Sequence, residues 1–242
     1  MQLSLLVAAI LLSNGSTQQA AKPQSGIPLA IVGIRVETDD GRPAGEAIPR
    51  FDFRNDGAQT ILALGVSYEV LLPGGQTEHH GVSMDSSAIL PKDRTPESRP
   101  GGIVTLGGSP VSSEARVGEA HVTFAIFDDD TALGDEGDIA FMFEERRKRQ
   151  VFWSRMDAIF QKATAAESDP AAVFALIRAG MASESDPAFR NVSGGWPDEI
   201  LARMTERRMQ LTHTTPLYVL ETLRTTIAEN KAHSDAHVQR RR

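Results

Sequence analysis

The sequence predicts an α+β fold, with an antiparallel β-sandwich over residues 27–136 followed by a helical region of about four helices over residues 137–232. Three observations carry that reading. Up to about residue 130, apolar residues come in short runs, several of them alternating with polar ones, with turn residues between the runs. After residue 137 the apolar spacing becomes that of a helix face. The first half lacks helical periodicity, which argues against strand–helix–strand architectures.

Each element follows from its residues. Leu29-Ala30-Ile31-Val32-Gly33-Ile34-Arg35-Val36-Glu37 is rich in β-branched residues and ends at the turn Asp39-Asp40-Gly41. Phe51-Asp52-Phe53-Arg54 alternates and closes on Asn55-Asp56-Gly57, residue types that accept the positive φ of a tight turn. A long strand over residues 61–72 turns at Pro73-Gly74-Gly75 into a partner over residues 76–82. The stretch 91–101 is rich in Pro and charge and reads as loop, Ile103-Val104-Thr105-Leu106 as a short strand, and residues 120–127 as the last strong strand.

In the second half Phe152, Met156, Ile159, Phe160 and Ala163 share one helix face, so a helix is predicted over residues 139–166. Asp169-Pro170 and Thr215-Pro216 each place a capping residue before a first-turn proline, and so open further helices. The first of these carries Val173, Phe174, Leu176 and Ile177 and is expected to stop at Gly180. Asp186-Pro187 opens a short turn of helix, and Pro197-Asp198-Glu199 opens another helix carrying Ile200, Leu201 and Met204. Leu217, Leu220, Leu223 and Ile227 mark the buried edge of the last one, and residues 233–242 read as a frayed basic tail.

Compartment is read from the first residues. Leu3-Ser4-Leu5-Leu6-Val7-Ala8-Ala9-Ile10-Leu11-Leu12 is about half the roughly 20 residues a spanning helix needs. It has the length of the apolar region of a secretory signal peptide, and small and polar residues follow it. Residues 1–21 are read as that signal, with cleavage near Ala20 or Ala21 and a linker over residues 22–26. Two departures stand against it: no Lys or Arg precedes the run, and Gln18 or Gln19 occupies a position usually held by a small residue. The alternative is a buried N-terminal strand or helix. The expectation is therefore an exported protein, periplasmic or secreted, with no membrane span once the signal is removed. The absence of Cys excludes disulfides, thiolate metal sites and Cys nucleophiles. A net charge of −7 argues against a dedicated nucleic-acid binder.

Phe51-x-Phe53-x-Asn55 followed by Ile61-x-Ala63-x-x-Val66 resembles the second and third strands of bacterial immunoglobulin-like or fibronectin-III-like modules. Phe124-Ala125-Ile126-Phe127-Asp128-Asp129 resembles a late strand of the same modules. The resemblance covers roughly 100 residues and lacks the paired Cys around a Trp of antibody domains. It implies an immunoglobulin-like sandwich with a binding or spacer role, and it brings no catalytic residues.

Few constellations offer chemistry. Asp128, Asp130 and Asp135 are the candidate cation ligands in the acidic run 128–138, but Ala132 and Leu133 break the helix–loop–helix calcium pattern, and turn chemistry accounts for the run. His79 and His80 adjoin on a strand and so point to opposite faces, while His121 on a later strand is able to approach either. His233 and His237 have chelating spacing but no zinc-protease glutamate. Gly107-Gly108-Ser109-Pro110-Val111 lacks the final Gly of a nucleophile elbow. Arg146-Arg147-Lys148-Arg149, next to Glu144 and Glu145, reads as a solvated helix face with Glu144–Lys148 and Glu145–Arg149 pairs. No cofactor is implied.

The expected function is thus an exported, non-enzymatic binding or protein-interaction module, with another envelope or secreted protein as the partner. Trp196, Trp153 and Tyr218 are the candidate contact residues. The alternative is an exported hydrolase of an unrecognised family.

Overall fold

A computed structural model describes residues 26–38, 43, 45–86, 97–190 and 215–239. Eight strands are seen among these residues: β1 (Leu29–Glu37), β2 (Glu46–Asn55), β3 (Ile61–Leu71), β4 (Thr77–Asp85), β5 (Ile103–Gly107), β6 (Val111–Ser112), β7 (Arg116–Phe127) and β8 (Ala132–Gly134). They form two antiparallel sheets, one in the order β1-β2-β5 with β6 also on β2, the other β4-β3-β7-β8. Four helices follow: α1 (Glu136–Ala166), α2 (Pro170–Ser183), α3 (Pro187–Arg190) and α4 (Pro216–Gln239). The fold class is mixed α+β. The signal segment, Trp196 and the helix expected at Pro197 lie outside the described residues.

Alternation in the strands sends one side of each sheet into a shared core. Phe51 and Phe53 from β2 meet Leu64, Val66, Tyr68 and Val70 from β3, and Val117, Val122 and Phe127 from β7. The Phe51 and Tyr68 rings lie 4.8 Å apart, one from each sheet. Each such side chain contributes about 1.5–3 kcal/mol when fully buried. The Tyr68 hydroxyl accepts a hydrogen bond from Ser109 N at 3.1 Å, and burial pushes its pKa up.

The β2–β3 turn is held differently from the expectation. No residue of Asn55-Asp56-Gly57 has positive φ. Instead the buried Asn55 amide donates to the carbonyls of Gln59 (2.8 Å) and Ser98 (2.7 Å) and accepts from Gly57 N (2.9 Å). Two short strands, β6 and β8, escape sequence reading because two or three residues carry no periodicity.

The capping sites behave as their chemistry requires. Asp169 accepts from Ala172 N (2.9 Å), Asp186 from Ala188 N (2.8 Å) and Thr215 from Tyr218 N (3.3 Å). Gly180 does not stop α2, which runs on to Ser183. A Cβ at Gly180 would sit 2.8 Å from Ile159 Cγ2, so this glycine lets α2 approach α1 closely.

The 31-residue α1 serves two cores. Its first turns lay Met142, with Ile139 and Phe143, on Ala63, Phe124 and Ile126 of the outer face of the β4-β3-β7-β8 sheet. Its later turns place Phe152, Trp153, Met156 and Phe160 against Val173 and Ile177 of α2, Phe189 of α3, and Leu220, Leu223 and Ile227 of α4. The last helix continues to Gln239, where a frayed tail from residue 233 was predicted; Ser234 is buried and Gln150 donates to Asp235 at 2.9 Å, so polar contacts with α1 carry a stretch short of apolar residues.

The basic run departs most from its sequence reading. Arg146 and Arg149 share the α1 face of Met142 and Trp153, and they are buried at 2% and 5% exposure. Asp85, at the end of β4, receives Arg146 through Nε and Nη2 (both 3.2 Å) and Arg149 through Nη1 (2.7 Å). Asp130 lies 3.8 Å from Arg146 Nη1. Only Arg147, paired with Glu144 at 2.8 Å, is on the expected solvated side; Lys148 is half-buried over the buried Glu145 at 2.7 Å, and both pairs are i,i+3 rather than i,i+4. Removing one partner of a buried ion pair strands the other charge. Asp85→Ala is therefore expected to cost about 3–5 kcal/mol in urea unfolding. Glu144→Ala, which breaks only the exposed Arg147 pair, is expected to leave the unfolding midpoint unchanged.

Candidate functional site

A groove crosses the outer face of the β4-β3-β7-β8 sheet beside the start of α1, with a volume of about 980 Å³. Its floor is made by small residues at the outward positions of neighbouring strands. Ser83, Gly65 and Phe124 lie in one row across β4, β3 and β7, and Gly134 of β8 pairs with Phe124. Gly81, Ser67 and His121 form the next row. The groove therefore runs across the strands, from the β4 edge to the α1 terminus.

Two glycines are required by close approach. A Cβ on Gly65 would overlap the ring of Phe124 and the hydroxyl of Thr123. This crowding coincides with a shift in the β3–β7 register between Gly65 and Val66, where Thr123 is the extra residue on β7. Gly134 has φ +120°, and a Cβ there would overlap the Thr123 carbonyl. Asp135 N then donates to the same carbonyl at 2.8 Å, so the chain passes from β8 into α1 along the groove wall.

The walls combine polar and apolar groups. Asp135 caps α1 by accepting from Asp138 N at 2.9 Å, and both aspartates line the groove. Leu133 (41% exposed) and Phe141 (60%) form an apolar rim beside them. Alternation on β4 separates the two adjacent histidines. His80 turns inward, where its ring stacks on Tyr68 at 5.5 Å and contacts Glu78 at 3.1 Å, and His79 points the other way. His79 and His121 both line the groove, on strands separated by β3. The site thus offers hydroxyls, imidazoles and carboxylates beside an exposed aromatic ring, groups suited to holding a polar chain with apolar side groups.

Of the residues singled out from sequence, His79, His121 and Asp135 line the groove, and the candidate contact residues Trp153 and Tyr218 do not. Trp153 is 1% exposed, edge-on to Phe152 at 5.0 Å, and belongs to the helical core. Its position one residue from Phe152 on a two-sided packing face buries it. Tyr218 is 54% exposed in the first turn of α4, and Trp196 is outside the described residues. The three aspartates part ways: Asp135 caps α1, Asp130 turns towards Arg146 with φ +62°, and Asp128 lies on the exposed turn. Between them Asp129 accepts from the Thr131 hydroxyl (2.6 Å) and amide (3.0 Å), which with Gln59 hold its carboxyl below the usual range. Among the described residues no group of three His, Asp or Glu is placed to hold a metal ion, and no helix is long and apolar enough to cross a membrane.

Sequence reasoning missed Ser67, Ser83, Thr123, Asp138 and Phe141. The available signal was the recurrence of Gly and Ser at outward positions, Gly65-x-Ser67 and Gly81-x-Ser83, on two paired strands. Comparison with protein-family models, curated proteins and solved structures finds no match for this chain.

Gly134→Ala is expected to lower stability by about 1–3 kcal/mol, because it forces a side chain into positive φ against a carbonyl. Thermal unfolding measures the loss, and weaker protection of the Asp135 amide in hydrogen exchange locates it at the groove wall.

Proposed function

We propose that this protein is an exported, non-enzymatic binding module whose sandwich is immunoglobulin-like or fibronectin-III-like and carries its ligand groove on the outer face of one sheet. The groove between that sheet and the head of α1 is the observation that carries the reading. Its volume and mixture of apolar rim and polar floor suit a short peptide segment of another envelope or secreted protein. The strand orders β1-β2-β5 and β4-β3-β7-β8, with one core between the sheets, support the family resemblance. The apolar run Leu3–Leu12 supports export. In this reading the helical region braces α1, and α1 shapes the groove.

One observation favours a second reading. Ser67 and His121 are cross-strand partners on the groove floor, which is the adjacency a hydrolase would use. The two readings separate by experiment. Affinity capture from the native envelope fraction with the wild-type chain is expected to retain one consistent partner. Ser67→Arg, which fills the floor, is expected to lose that partner by at least about tenfold, as a hot-spot position does. Equal retention by both chains counts against the groove. Turnover of a generic ester panel that Ser67→Ala abolishes establishes the hydrolase instead.

A further inference from the structure

The outer edge of β4 is a nine-residue strand with no strand paired to it among the described residues. Which of its backbone groups face outward follows from two bonds at the ends of the β3–β4 hairpin. Leu72 N donates to Gln76 O, and Ser86 N donates to Leu62 O, both at 2.8 Å. The register between them runs from Ala63–Asp85 to Leu71–Thr77 without a shift. Bonded and non-bonded pairs alternate in an antiparallel ladder, so the even-numbered residues of β4 bond to β3. The N–H and C=O groups of Thr77, His79, Gly81 and Ser83 therefore point away from the sheet.

Edges of this kind are normally blunted by Pro, Lys, a bulge or shortness. β4 has no Pro, no Lys and no register shift; it carries Glu78, and its last two residues, Met84 and Asp85, are buried, so the open stretch of the edge is Thr77–Ser83. The edge of β1 in the other sheet differs in that its pairing with β2 shifts between Ile31 and Gly33.

We infer that β4 pairs antiparallel with β4 of a second copy of this chain, about a two-fold axis through Gly81. In that register Gly81 meets its own counterpart, and the crossing point has no side chain to obstruct it. Each His79 stands opposite a Ser83 on the groove face, and each His80 opposite a Val82 on the other. Pairing over the exposed stretch ends at His79 and Ser83, and Glu78 of each copy falls towards the buried Met84 end of the other, so no two like charges face each other. The same patch serves both copies, as a closed two-fold interface requires. The groove opens at this edge through His79, Gly81 and Ser83, so pairing would join the two grooves into one trough. Only that consequence rests on the binding reading above; the dimer does not.

Sedimentation equilibrium of the full chain tests the inference. A reversible dimer is expected to appear between low micromolar and about 0.1 mM. Gly81→Lys sets two cations on the axis, and a Cβ at Gly81 meets only Val66 O at 3.9 Å, so the fold has room for it. Gly81→Pro deletes an outward N–H that β3 does not use. Both variants are expected to raise the dissociation constant at least about tenfold while keeping the wild-type circular dichroism. A wild-type chain that stays monomeric at about 0.1 mM, or a dimer that either correctly folded variant leaves intact, overturns the inference. Ser67→Arg is expected to keep the dimer, which separates failure here from failure of the groove.

Discussion

Burying a guanidinium is costly unless its charge and its donors are met. Arg146 and Arg149 are both brought inside by α1, and Asp85 meets both with hydrogen bonds of 2.7–3.2 Å. With Asp130 beside Arg146, two cations face two anions, and the group is neutral as a unit. Water is largely excluded, so each member depends on the others. Asp85 lies at the end of an edge strand and Asp130 in the turn before β8, which means one helix ties down two separate parts of the sheet. The apolar contact of Met142 with Ala63, Phe124 and Ile126 adds area at the same junction. Together they fix the angle at which α1 leaves the sheet.

That angle matters at both ends of the helix. Towards the C-terminus, α1 supplies the largest side chains of the helical core, including Trp153 and Phe152, and α2, α3 and α4 assemble around them. At the N-terminus, Asp135, Asp138 and Phe141 become a wall of the groove. The groove is made by omission. Glycine and serine at outward positions of β3 and β4 leave a depression that larger residues would fill, and the register shift at Thr123 lays the Phe124 ring over Gly65. A groove of this type draws its shape from several strands at once and keeps it through the rigidity of the sheet beneath.

One strand of this sheet borders both the groove and an open edge. β4 contributes its outward side chains to the groove and its outward backbone groups to the open edge, and the period of two keeps both sets on the odd-numbered residues. Its even-numbered residues face the core side, with His80 stacked on Tyr68.

By itself the sequence determined whatever depends on neighbours along the chain. The six longer strands and the helix openings at Asp169-Pro170, Asp186-Pro187 and Thr215-Pro216 were legible because alternation, capping and proline chemistry act within a few residues. The opposition of His79 and His80 was legible for the same reason. The burial of Arg146 and Arg149 was not, since a charged run next to glutamates looks solvated until a strand from 61 or 64 residues earlier brings Asp85 to it. Nor were the groove and the roles of Ser67, Thr123 and Phe141 legible. Only the tertiary structure decided these, because cross-strand register and the docking of α1 join residues far apart in sequence, and no local pattern encodes which distant partner will arrive.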